Sequence, residues 1–167
     1  MRVYIPLTLS GLARLHVARE IAPAPLTAYA VTPALREWYL SGNEEELEYA
    51  ALSRAAAASL RLVATELGVA RRRVVVAADV PDRVAFADPE LALSPEALGE
   101  VRLAEAVPLG WLAAVHVDAE EAADDVQVAA EAVGAADQGD EDAQFVVDGA
   151  ADHELLWYGV QEIDRLV

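Results

Sequence analysis

The sequence predicts a single α+β domain spanning residues 1–167, with a mixed sheet of about six strands and helices packed on it. Three observations carry this. Short β-rich runs, such as "RVYIPLT" and "RRVVVAADV", are separated by longer segments with three- and four-residue apolar spacing. Proline, glycine and capping residues punctuate those segments. The length suits one domain and is enough to bury a core without disulfide or metal staples.

Residues 2–8 read as a strand in which Val3 and Ile5 alternate with Arg2 and Tyr4. "SGLARLHVARE" is a short helix with Leu12, Leu15 and His16 on one side, and "APAP" stops it because proline cannot continue a helix. "LTAYAVT" (26–32) is a second strand. Thr32 then caps a helix with Pro33 at its first position, where a missing N–H costs nothing. Asn43 caps the next helix, whose first turn, Glu44 to Glu46, places negative charge at the positive end of the dipole. That helix runs to about Leu67, with Leu52, Ala56, Leu60, Val63 and Leu67 as one apolar stripe.

"RRVVVAADV" (72–80) reads as a central strand, and 81–99 as loop with short elements. "VRLAEAV" and "WLAAVHV" flank Pro108-Leu109-Gly110 and read as a hairpin. Asp118 opens a further helix, with Glu121 at capping-box spacing. Residues 134–142, "GAADQGDED", form an acidic mobile loop, followed by a helical piece in "AQFVVDGAAD". The apolar tail, with Trp157 and Tyr158 at its centre, reads as the last strand. Neighbouring strand residues face opposite sides, so one of these two enters the core and the other covers a second layer or meets a partner subunit.

The halves, about 1–82 and 100–167, align as a ββααβ pseudo-repeat. "AYAVTPALRE" pairs with "AVHVDAEEAA", and "VVAADVPD" with "WYGVQEID". A single α+β domain with coincidentally similar elements remains the alternative.

Net charge is −17, which disfavours a nucleic-acid backbone or an anionic membrane surface as partner and leaves cationic partners open. There is no cysteine, hence no thiolate catalysis and no Cys-based metal site. All twelve basic residues are arginine, so no Schiff-base or phosphate-cradle lysine exists. GC-rich coding or salt adaptation explains this bias and the alanine content of about a fifth. Between Arg102 and Arg165 no arginine or lysine occurs, while thirteen acids fall between positions 118 and 154. The N-terminal apolar run is too short for a secretion signal, and no run reaches a membrane helix, so a cytoplasmic setting is expected.

Two constellations carry chemistry. Asp79 and Glu162 each follow a strand; brought together, two carboxylates serve as acid and base in a hydrolase or isomerase. The bland reading is that each caps a turn or meets an arginine, Arg83 or Arg165. His116, Asp118 and His153 are the metal-like set, although their spacing matches no motif and Asp118 is also explained as a helix cap. No serine lies in a nucleophile elbow, no nucleotide-binding glycine pattern occurs, and no cofactor is expected. "ARRR" (70–73) balances the acidic surface or binds an anion.

The stretches "MRVYIPLT", "AYAVTPALREWY", "EEELEYAA", "VVVAADVPD" and "HELLWYGVQEI" together resemble an uncharacterised actinobacterial family of small acidic proteins, a domain of unknown function. The likeness covers nearly the whole chain. It implies a high-GC source and a cytoplasmic setting, and no activity, cofactor or partner. Function is therefore expected to be non-catalytic binding or regulation, with a protein partner or self-association. The alternatives are an enzyme using Asp79 and Glu162 and a metal- or small-ligand-binding module around His116, Asp118 and His153.

Overall fold

The computed structural model describes residues 1–66 and 68–167. Strand β1 (Arg2–Leu7) leads into helix α1 (Leu9–Ala18), which Thr8 caps by accepting from Gly11 N. Strands β2 (Glu20–Ile21) and β3 (Leu26–Tyr29) follow. Helix α2 (Pro33–Trp38) starts as expected, with the Thr32 side chain accepting from Leu35 N. Helix α3 (Glu44–Thr65) opens on a full capping box: Asn43 Oδ1 accepts from Glu46 N and Glu46 Oε2 accepts from Asn43 N. Leu67, the expected last member of the α3 stripe, lies outside the described residues.

After α3 come β4 (Val74–Asp79), β5 (Ala85–Phe86), β6 (Glu100–Leu103), β7 (Val107–Pro108) and β8 (Leu112–Val117). Helices α4 (Ala123–Asp137) and α5 (Glu141–Gly149), strand β9 (Leu156–Tyr158) and the single turn α6 (Ile163–Leu166) complete it.

The main sheet has seven strands in the order β5-β6-β3-β1-β4-β8-β9, and β2 pairs with β7 in a separate ribbon. Every neighbouring pair is antiparallel, which corrects the expected mixed sheet. The reason is topological. The crossover from β3 through α2 and α3 returns a strand, β4, in the same direction as β3, but β1 lies between them and pairs antiparallel with both.

The sheet is covered on both faces. Val3, Ile5, Val74, Val76, Val115 and Val117 point to one side, where Leu12 and Leu15 of α1 and Ile163 of α6 bury them. Tyr4, Val75, Ala77 and Ala114 point to the other, against Ala51, Ala55 and Ala56 of α3. These alanines bring α3 close to the strands, and Ser59 uses that proximity: its Oγ donates to Leu7 O and accepts from Val74 N. Beyond the sheet, Leu60 and Val63 of α3 pack on Val126, Ala129 and Val133 of α4.

Four further expectations need correction. No hairpin joins the strands around Pro108, because β6 pairs with β3 and β5, β7 with β2, and β8 with β4 and β9. Most of 134–142 is helical, since α4 ends at Asp137 and α5 begins at Glu141 with Asp140 capping it through Ala143 N. The tail is strand only over Leu156–Tyr158; Val160–Glu162 is a tight helical turn leading into α6. Nor does the strand order reproduce a repeated unit: β1 and β3 are neighbours, whereas their counterparts β6 and β8 lie on opposite sides of the β3-β1-β4 trio.

Candidate functional site

One face of α3 is left uncovered where α5 and the chain after it diverge. Arg61 and Asp137 clamp α3 to the end of α4 by two hydrogen bonds of 2.8 Å each. The pair holds the Asp137 carboxyl below its ordinary range and raises the Arg61 guanidinium. No α5 residue is fully buried, so α5 leans on its neighbours without closing on α3. A cleft of about 280 Å³ results, with walls from Leu52, Ala56, Ala57 and Leu60 of α3, Val147 of α5, and Ala150 and Leu155. Such a mostly apolar concavity with a few polar groups is the form that small-molecule sites take.

Arg73 also lines this cleft although its side chain is only 4% exposed. Its Nε donates to Asp118 Oδ2 at 2.9 Å, and its Nη2 donates to Asp118 Oδ1 at 2.8 Å and to His153 O at 2.9 Å. Asp118 Oδ2 also accepts from Arg73 N. Asp118 is therefore no helix cap. Its side chain is wholly buried, and a separate turn, Glu120–Ala122, precedes α4. The other two arginines of "ARRR" are also engaged within the fold: Arg71 donates to Val63 O and Arg72 to Asp118 O.

His153, at the cleft wall, turns its Nε2 to Asp125 Oδ2 at 2.7 Å. His116 is half-buried on β8, in register between Val75 and Trp157, and does not line the cleft. Burial holds its imidazole below the usual histidine pKa, and the Arg2 charge adds to this. The expected metal set is thus dispersed, with Asp118 committed to Arg73. Among the described residues no group of three or more His, Asp or Glu side chains is gathered to hold a metal ion.

Asp79 ends β4 and accepts two hydrogen bonds from Arg2, at 2.7 and 3.1 Å, which lowers its pKa. Its partner is the adjacent strand's arginine, not Arg83, which instead bonds Glu105. Glu162 does not end a strand; it sits in the tight turn Val160–Glu162 before α6 and accepts from Gly159 N at 2.7 Å. By strand alternation Asp79 belongs to the Val75 and Ala77 face, while Ile163, next to Glu162, is buried on the opposite one. The two carboxylates share neither a hydrogen bond nor a cleft among the described residues.

Leu52, Ala56 and Leu60 are legible in the sequence as the apolar stripe of α3, and Arg73 and His153 as candidates, but nothing marks them as lining one cleft. The small residues of the run "RAAAAS" give little further signal, because alanine is common throughout this chain. Ser53 Oγ donates to Tyr49 O one turn back. No helix among the described residues is long and apolar enough to cross a membrane.

A family model described as "Family of unknown function (DUF6912)" matches residues 1–167. No curated protein and no solved structure matches the chain.

Proposed function

The chain belongs to this family of unknown function, and from its own geometry we propose a non-catalytic binding protein whose cleft between α3 and α5 takes a small, largely apolar ligand. One observation carries the reading: the cleft is apolar, and the cationic groups on its lining are already matched, Arg61 by Asp137 and Arg73 by Asp118. The two arginines are committed to ion pairs, and of the other titrating side chains on the lining His153 is engaged by Asp125 while Asp148 and Glu154 stand exposed at the rim, which favours holding a guest over general acid–base catalysis on it. The enzyme reading built on Asp79 and Glu162 lacks this support, since each is engaged elsewhere. A cytoplasmic setting accords with the absence of cysteine and forms part of the same proposal.

The test is a thermal melt against a panel of small apolar compounds, repeated with Ala57→Trp. Ala57 is exposed at the cleft rim, so an indole there fills the cleft and leaves the core alone. A saturable rise in melting temperature is expected for the parent, by mass action, with the response lost in the variant. Equal responses from both proteins would place binding elsewhere.

A second reading rests on β9. Trp157 is 64% exposed on an edge strand, with Leu156 beside it, and Tyr158 turns into the core as alternation requires. An exposed aromatic on an unpaired strand edge suits a protein partner or a second copy of this chain. Light scattering of the parent against Trp157→Ser measures self-association through this edge directly.

A further inference from the structure

Arg73 is an almost fully buried cation at a cleft lined by the aliphatic side chains of Leu52, Leu60, Val147 and Leu155 together with polar groups such as Ser53 and Gln144. A guanidinium has five N–H donors in a fixed fork. Nε and Nη2 are occupied by Asp118 and the His153 carbonyl, while Nη1 meets no protein acceptor among the described residues. We infer that the cleft recognises a neutral molecule with an apolar body and a carbonyl group, the carbonyl oxygen accepting from Arg73 Nη1. This deepens the proposed binding function and rests on it.

The charge balance selects the neutral class. Asp118 already compensates Arg73, so a carboxylate guest would bring a second anion to a pair that is neutral as a whole. It would also pass Asp148 and Glu154, both exposed at the rim and neither in an ion pair with a described residue. An ammonium guest gains from those two carboxylates, but exposed pairs are screened and weak. At the floor it has no lone pair to offer a guanidinium. Nη1 keeps solvent contact in the open cleft, and a hydrocarbon that fills the cleft removes that contact and supplies no acceptor, which is the costly outcome. A carbonyl satisfies the donor and adds no charge.

Four probes with one phenyl-terminated body separate these cases: benzylacetone, propylbenzene, phenylpropylamine and hydrocinnamate. Each is titrated calorimetrically into the full chain and into Ala57→Trp. Benzylacetone is expected to bind tightest, about tenfold or more over propylbenzene, as one hydrogen bond from a charged donor implies. Its carbonyl stretch, read by infrared difference spectroscopy, is expected below its value in alkane solvent. This second readout needs no change at Arg73, whose replacement endangers folding. Equal affinity for ketone and hydrocarbon, a stretch at the alkane value, or tightest binding by the amine or the carboxylate overturns the carbonyl inference and leaves the binding function standing. If no probe binds and the compound panel shows no difference between parent and Ala57→Trp, the binding function itself falls, and this inference with it.

Discussion

Arg73 and Asp118, forty-five residues apart in the chain, hold each other through two side-chain hydrogen bonds of 2.9 and 2.8 Å with almost no solvent contact. The pair joins the entrance of β4 to the exit of β8 and anchors the chain before β9 through the His153 carbonyl. Removing one partner strands the other charge. Asp118→Ala is expected to cost about 3–5 kcal/mol, read from the urea midpoint, because an uncompensated buried guanidinium remains. Replacing both together, Arg73→Met with Asp118→Leu, is expected to cost much less, since no charge is then left alone. If the double variant were as unstable as the single one, desolvated charge would not be the governing effect.

Ser59 is the second long-range tie. Its Oγ donates to Leu7 O at 2.6 Å and accepts from Val74 N at 2.9 Å, bridging α3 to two adjacent strands. Ser59→Ala leaves a buried N–H and a carbonyl without this partner, for an expected loss of about 1–3 kcal/mol. Hydrogen exchange at Val74 N should speed up in the variant. Unchanged exchange there would contradict the bridge.

His116 makes stability depend on pH in a direction that can be stated. Its folded pKa is lowered by burial from an ordinary 6.5, so the unfolded chain takes up the proton first as pH falls. The unfolded state then binds more protons, and stability falls with falling pH, from the unfolded value down to the folded one. His116→Leu is expected to flatten the melting temperature in that window. A slope as steep as the parent's would assign the effect to other groups.

Asp79 offers a contrast in magnitude. Arg2 lowers its pKa, so its contribution is present above the ordinary carboxylate value of 3.8 and is lost as pH falls through the lower folded value. Its side chain is 61% exposed, however, and solvent screening limits such a pair to under about 1 kcal/mol. Asp79→Asn at neutral pH should therefore shift the chemical-denaturation midpoint only slightly. A loss comparable with that of Asp118→Ala would show that exposure had been given too much weight.

Legibility followed distance along the chain. The Thr32 and Asn43 caps were readable because each side chain meets a backbone N–H three residues ahead. The opposite orientations of Trp157 and Tyr158 were readable because alternation is a property of any strand. Asp118 was misread as a cap because "DAEE" has the right local spacing, while the arginine that claims it comes from another strand's entrance. Asp79 was offered Arg83 by proximity in sequence and found Arg2 across a strand pair. The cleft left almost no trace, since small residues on α3 read alike whether they pack on strands or line a void.

The sequence by itself determined the α+β class, the main helices and inner strands, the acidic surface and the exclusion of cysteine and lysine chemistry. These follow from composition, period and capping, which act within a few residues. Only the tertiary structure decided the all-antiparallel strand order, the partners of Asp79, Asp118 and His153 and the place of the cleft; Glu162 caps its own turn, as the local reading allowed. The physical reason is that strand order and charge pairing are settled by contacts between segments tens of residues apart. Many pairings are locally permitted there, and the one adopted is the one that buries the apolar faces of the sheet while leaving no charge alone inside.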